Sequence, residues 1–276
     1  MRKHLMTVCF ALLSGCSSSF LYNQLDWLIP WYVDDYVDLT RTQKQDLKQQ
    51  LLPLLEWHRS EELAAYLVLL DRIEGDLKEP VAAETIQEWL IEAERAWYRV
   101  EERGLPIAFG LGDNLSDSQM QEFLEKLRER QQELEEEYLE RDDDQYREES
   151  YENFSENLVS FLGRLSSEQK ERLRDASAEL QRFDDVWLAE RRAWIETLEE
   201  ILAAREPGWH DAVREAIDTR RRNQSPEYQA AYQFNQEVIN RAIADVLNSR
   251  SEKQSARLQG EIDDLRRTLN KLIKQS

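Results

Sequence analysis

Residues 39–47 read LTRTQKQDL, and the order of residue types in that stretch decides the fold. A hydroxyl residue, Thr40, stands three positions before Gln43, and Leu47 follows one turn later. This order marks a helix start. The hydroxyl accepts the amide of the third helical residue, and the glutamine side chain returns to the amide of the cap. The same order recurs as LSDSQMQEF at 115–123, LSSEQKERL at 165–173 and RSEKQSARL at 250–258. The cap pairs are Thr40/Gln43, Ser116/Gln119, Ser166/Gln169 and Ser251/Gln254, each worth about 1 kcal/mol. Leu39, Leu115 and Leu165 precede three of the caps, where each is placed to staple against its first turn.

Working outward, the apolar residues keep helical spacing. Ile86, Leu90, Ala93, Trp97 and Val100 step by 4, 3, 4 and 3, as do Leu258, Ile262, Leu265, Leu269 and Leu272. Each set is one buried stripe of an amphipathic helix. Pro80, Pro207 and Pro226 fall where helices start, and Pro53 is expected to kink or end the first long helix. No run of alternating β-branched residues calls for a strand. The expectation is all-α: one elongated domain over 16–276 with roughly seven or eight helices. Thr40 to Ser166 is a shift of 126 residues, and Ser116 to Ser251 a shift of 135. These shifts admit two readings. One is a duplication with related halves at 39–164 and 165–276; the other is convergent use of one capping chemistry.

Charge narrows the function classes. The chain of 276 residues has 56 acidic and 36 basic side chains, a net charge of −20. That balance argues against nucleic acid as a partner, since phosphate binding needs clustered Lys and Arg. Residues 117–157 hold 16 acids against 5 bases. If helical throughout, these 41 residues span ~60 Å; the alternative is a break at Asp142–Asp144. Those three aspartates lack the alternating ligands and the turn glycine of a calcium loop, so they read as a solvated charge face.

The N-terminus carries an address. Arg2-Lys3-His4 precedes the apolar run Leu5–Leu13, which is too short to span a bilayer and the right size for a secretory signal. Leu13-Ser14-Gly15-Cys16 follows and resembles the bacterial lipobox. The resemblance implies cleavage after residue 15, acylation of Cys16, and a membrane held through that lipid. Ser17, where an aspartate would direct retention, implies the outer membrane, facing the periplasm. Cys9 leaves with the leader, so the mature chain has no free thiol and no disulfide.

Residues 20–40 read FLYNQLDWLIPWYVDDYVDLT. This segment resembles a proteobacterial lipoprotein family of unknown function, in which a lipobox is followed by a Tyr-Asn…Leu-Asp-Trp…Trp-Tyr…Asp-Asp-Tyr segment. The match is carried by Tyr22, Asn23, Leu25, Asp26, Trp27, Trp31, Tyr32, Asp34, Asp35, Tyr36, Asp38 and Leu39 and implies no activity. Two readings stand. The aromatics sit at the membrane interface, where the aspartates oppose an anionic surface, or they pack on the helical body. Packing is the expected outcome, and Pro30 is expected to limit any helix there.

No catalytic constellation emerges. His58 and His210 each follow a tryptophan, without zinc-ligand spacing. No phosphate loop or nucleophile elbow is present, so no enzyme activity, metal or cofactor is expected. Trp27, Trp31, Tyr32, Asp34, Asp35 and Tyr36 are candidate interaction residues. So are Ile107, Phe109 and Leu111 of the apolar stretch 105–112, read as a loop. Arg220-Arg221-Arg222 reads as the basic end of a helix. The Leu-Ser/Thr-x-x-Gln repeats look like those of small periplasmic stress chaperones. The expected function is a lipid-anchored helical protein with a binding or chaperone-like role toward an envelope protein or client. An adaptor for an envelope complex is the alternative, and a carboxylate enzyme ranks below both.

Overall fold

Capping chemistry accounts for most helix starts in the computed structural model, which describes residues 16–275. The expected signal peptide, 1–15, and the side chain of Cys16 lie outside the described residues. Those residues form eleven helices and no strand, more than the seven or eight expected. The first two are α1 (Cys16–Tyr22) and α2 (Leu25–Asp34). Helix α3 covers 41–76, as Arg41–Trp57, a π turn at His58–Glu62, and Leu63–Asp76. Next come α4 (Ala83–Asn114), α5 (Asp117–Leu139), α6 (Asp143–Leu162) and α7 (Ser167–Glu179). Helices α8 (Asp184–Ala204), α9 (Trp209–Arg222), α10 (Pro226–Asn248) and α11 (Glu252–Ile273) complete the chain.

All four expected capping boxes form, at the starts of α3, α5, α7 and α11. A fifth, Asp142 with Gln145, starts α6. It breaks the 117–157 stretch at residues 140–142, so the aspartate run contains a helix cap. The higher helix count comes from this break and from α1 and α2.

Pro53 does not end its helix, and Pro106 stands inside one where a loop was expected: α3 runs through Pro53, and the 105–112 stretch is the C-terminal part of α4. Both prolines, and the residues four back, Gln49 and Glu102, are exposed. The carbonyl that loses its donor is therefore left to water, and the cost is small. Pro30 also stands inside α2 and, unlike the other two, is buried.

The capped N-termini meet in pairs. Gln43 Nε2 donates to Asn114 O and Gln119 Nε2 to Asp38 O, both at 2.8 Å. The two side-chain amides also bond each other, at 3.0 and 2.8 Å. Further along, Gln169 Nε2 donates to Ser249 O at 3.4 Å and Gln254 Nε2 to Arg164 O at 3.1 Å, again with reciprocal amide bonds of 3.2 and 2.8 Å. In all four cases the backbone acceptor lies two residues before the opposite cap. A glutamine that closes its own box with Oε1 has Nε2 left over, and here that nitrogen locks two helices together.

Each interlock sits beside a core. Val37, Leu39, Leu47, Leu51, Phe109, Leu115, Met120 and Leu124 surround the first. Leu162, Leu165, Leu173, Val246, Leu247, Leu258 and Ile262 surround the second. Helix α4 joins the two, giving Ile86 to one and Phe109 to the other. A smaller third cluster unites Tyr22 of α1, Leu63 of α3 and Leu269 and Leu272 of α11.

A candidate membrane-facing segment and its mounting

The chain turns into the folded body immediately after residue 16. Helix α1 packs on α11, and α2 on the first half of α3. Tyr22 is buried, and its hydroxyl pairs with His58 Nδ1 at 2.8 Å, while His58 Nε2 meets the Tyr66 hydroxyl at 3.2 Å. Burial pushes the Tyr22 phenol up to about 12, against the nearby Arg59 charge. It holds the His58 imidazole below its ordinary value, with Glu62 pulling the other way. Arg59 donates to Asn23 Oδ1 at 2.9 Å, and Asn23 Nδ2 to Gln275 Oε1 at 3.0 Å. The last described residue is thereby tied to the first turn.

Two ion pairs fasten α2. Lys48 Nζ lies 2.9 Å from Asp26 and Lys44 Nζ 2.7 Å from Asp34. The Lys44 hydrogen bond, helped by the Leu39 amide, lowers the Asp34 carboxyl below its usual range despite burial. Asp35 is exposed, so the two adjacent aspartates do different work and do not converge on a ligand. None of the α2 aspartates pairs with His58, whose partners are tyrosines.

The aromatic residues divide. Tyr22 is buried, and Tyr36 is half-buried, with its ring 6.4 Å from Phe123. Trp27, Trp31 and Tyr32 are 57, 56 and 58% exposed, contrary to the expectation that this segment packs throughout. The Trp27 and Trp31 rings lie parallel at 6.4 Å, one turn apart on α2. Tyr32 shares a hydrogen bond with Tyr36, and that bond, then burial, pushes its hydroxyl up to about 12.

The other candidates fall inside the fold. Phe109 is buried, stacked on His210 at 4.6 Å, and Ile107 and Leu111 are partly buried against the same core. They form no exposed tip, because α4 continues through them. Asp113 accepts from the Trp209 indole and pairs with His210, both at 3.1 Å, which docks the start of α9 on the end of α4. Gly112 permits this approach: a Cβ there would lie 2.7 Å from Trp209 Cη2. Arg220 and Arg221 lie over the rings of Trp194 and Tyr98, both at 4.5 Å, and Arg222 pairs with Glu215. The basic triplet is spent within the fold. No group of three or more His, Cys, Asp or Glu side chains is disposed to hold a metal among the described residues.

Some polar centres carried too weak a signal in the sequence. Glu62, in the π turn, is buried and gripped by both Nε and a terminal nitrogen of Arg99. Gln131 interrupts the apolar stripe of α5 because it receives the buried Arg191 and donates to Leu188 O. Met120, Leu124, Leu127, Leu134 and Tyr138 keep the stripe on either side of Gln131, and this polar step is the trace that Arg191 leaves in the sequence. No helix among the described residues is long and apolar enough to cross a membrane.

The fold and the segment define an all-helical protein with interlocked helix starts and an exposed aromatic face beside its N-terminal end. A model described as a family of unknown function (DUF6279) matches residues 35–229, and the chain belongs to that family. The matched range takes in Asp35, Tyr36, Asp38, Leu39 and three of the four capping boxes built on Ser or Thr, and begins after Tyr22–Asp34. No curated protein and no solved structure matches the chain.

Proposed function

We propose that the chain is an outer-membrane lipoprotein facing the periplasm, held by lipid on Cys16, with a helical body that binds protein clients in a chaperone-like role. One observation carries the reading. Tyr22–His58, Asn23–Arg59, Asp26–Lys48 and Asp34–Lys44 fasten the segment directly after Cys16 to the body. A lipid at that cysteine holds the body close to the bilayer, with little slack to turn away. The client class follows from charge. Glu133, Glu136, Glu137, Glu140 and Asp142–Asp144 are exposed along α5 and the start of α6, and such a field draws basic partners. The fixed mounting also favours a second reading, an adaptor that positions one envelope complex.

The test follows the full chain in a Gram-negative host. Wild type is expected to take up labelled palmitate and to fractionate with the outer membrane, and Cys16→Ala to do neither; equal behaviour would remove the lipoprotein reading. Purified Cys16→Ala protein is expected to suppress aggregation of a basic unfolded client, less so at high salt. No suppression at several-fold molar excess would remove the chaperone-like role. A single stoichiometric partner in cell crosslinking would select the adaptor.

A further inference from the structure

Half of the exposed large apolar side chains among the described residues fall between residues 20 and 32. Phe20, Leu21, Trp27, Trp31 and Tyr32 make up that half; Leu52, Val68, Leu139, Val159 and Phe234 are spread over five other stretches. Singly exposed apolar residues are ordinary, but a patch marks a contact surface, and Trp27 and Trp31 stack into one on α2. Three of the five are Trp or Tyr, the side chains that settle at a bilayer's headgroup level because each joins an apolar ring to a polar edge.

Two further observations select a lipid surface as the occupant. The first is distance. Phe20 is four residues from Cys16 and Tyr32 sixteen, about 24 Å of chain at helical rise, with a break of two residues at 23–24. The second is charge. Aspartates in the segment oppose a membrane contact, yet Asp26 and Asp34 are paired with Lys48 and Lys44. Asp35 and Asp38 remain as exposed acids in the segment, a balance that suits zwitterionic headgroups better than anionic ones.

We propose that Phe20, Trp27, Trp31 and Tyr32 form a second membrane contact, seated in the headgroup layer of zwitterionic lipid beside the acyl anchor. The proximity argument rests on the lipoprotein reading. A seated aromatic face would fix the tilt of the body, which a lipid alone leaves free to swivel.

The test uses the Cys16→Ala chain, so that no acyl group contributes, with phosphatidylcholine vesicles. Wild-type side chains are expected to give cosedimentation and tryptophan quenching by headgroup-level spin-labelled lipid. Trp27→Ser/Trp31→Ser is expected to lower the partition coefficient by about tenfold or more, from the apolar area withdrawn. Replacing part of the lipid with phosphatidylglycerol is expected to weaken binding. The variant's urea midpoint should match the parent's, since both side chains are exposed. Equal partitioning of parent and variant would overturn the proposal. So would a dimer in light scattering that the double variant dissociates, because a second copy would then occupy the face. Tryptophan-dependent vesicle binding without palmitate uptake on Cys16 would uphold the contact and remove only the lipoprotein reading.

Discussion

Replacing Gln169 by leucine tests the interlock most sharply, because the same chemistry occurs in a second, wetter setting. Gln169 is 1% exposed. Its Oε1 accepts from Ser166 N at 2.9 Å and from Gln254 Nε2 at 2.8 Å; its Nε2 reaches Val246 O, Ser249 O and Gln254 Oε1. Leucine keeps much of the volume and removes all of these bonds. Gln254 retains Arg164 O and Ser251 N as partners, and the amide of Ser166, an exposed residue, can turn to water. Loss of the bonds made by a buried side-chain amide, the capping-box bond among them, costs about 1–3 kcal/mol. The expected loss is therefore about 2 kcal/mol. Gln43 makes the corresponding bonds to Thr40 N, Asn114 O and Gln119 but is only partly buried. Water can replace its partners, so Gln43→Leu is expected to cost about 1 kcal/mol. Urea unfolding followed by circular dichroism, compared at equal slope, measures both. Gln169→Leu/Gln254→Leu should cost at least about 1 kcal/mol less than the sum of the single changes, since both amides then leave together. Equal losses for Gln43→Leu and Gln169→Leu, or strict additivity in the double variant, would refute the reasoning.

Other sites give independent checks. Gly112→Ala is expected to cost about 1–3 kcal/mol by overpacking against Trp209, and Trp209→Leu in the same chain to recover part of it, read by thermal melting. Arg99→Ala leaves the Glu62 carboxylate, 3% exposed, without its guanidinium. A loss of about 2 kcal/mol is expected, scaled down because Arg99 itself is partly solvated; Glu62→Leu/Arg99→Leu should cost less in the same urea assay. His58 is held below its ordinary 6.5 by burial, so the unfolded chain binds the proton more readily. Stability from its neutral form is complete above about pH 6.5 and falls as pH drops, by at most about 1.4 kcal/mol per unit. Urea midpoints at pH 7.5 and 5.5 should therefore differ more for wild type than for His58→Gln.

The helix starts were legible because a capping box is complete within four residues, as Thr40 and Gln43 show. The apolar stripes were legible because a 3.6-residue period needs no knowledge of the partner surface. Asp142 escaped because its capping role is masked by Asp143 and Asp144: three aspartates in a row read as charge. The continuation of α4 through Pro106 escaped because the cost of a proline depends on whether the carbonyl behind it faces water, which is a tertiary fact. The π turn at His58–Glu62, the buried Glu62–Arg99 pair and the seat of Arg191 on Gln131 depend on partners 37 and 60 residues away. In the aromatic segment, composition pointed to a contact surface but could not divide it. The division into buried Tyr22 and exposed Trp27 and Trp31 follows from which face of α1 and α2 the body covers.

The cross-bonds bear on whether the two halves are related. Convergent capping explains a hydroxyl followed three residues later by glutamine, but it does not explain where the spare Nε2 goes. A glutamine beside a second helix start has several carbonyls within reach. Yet Gln43, Gln119 and Gln254 each bond the residue two before the opposite cap, Asn114, Asp38 and Arg164, and Gln169 shares its Nε2 between the corresponding Ser249 O and Val246 O. The intervening chain runs parallel as well. Residues 41–76 and 83–114 link the first pair of caps, with a π turn at 58–62 in the earlier helix. Residues 167–204 and 209–248 link the second, each broken once, at 180–183 and 223–225. Helix α3 then corresponds to α7 with α8, α4 to α9 with α10, and α5 to α11, which leaves α6 as the connector. Helix breaks are easily gained by a proline or a polar run, whereas a four-bond interlock has to be lost or kept as a unit. Duplication and convergence both remain open for the halves 39–164 and 165–276. Under duplication the shared constraint would fall on four glutamines, their caps and the leucines beside them, and the helices between would only need to keep their apolar stripe.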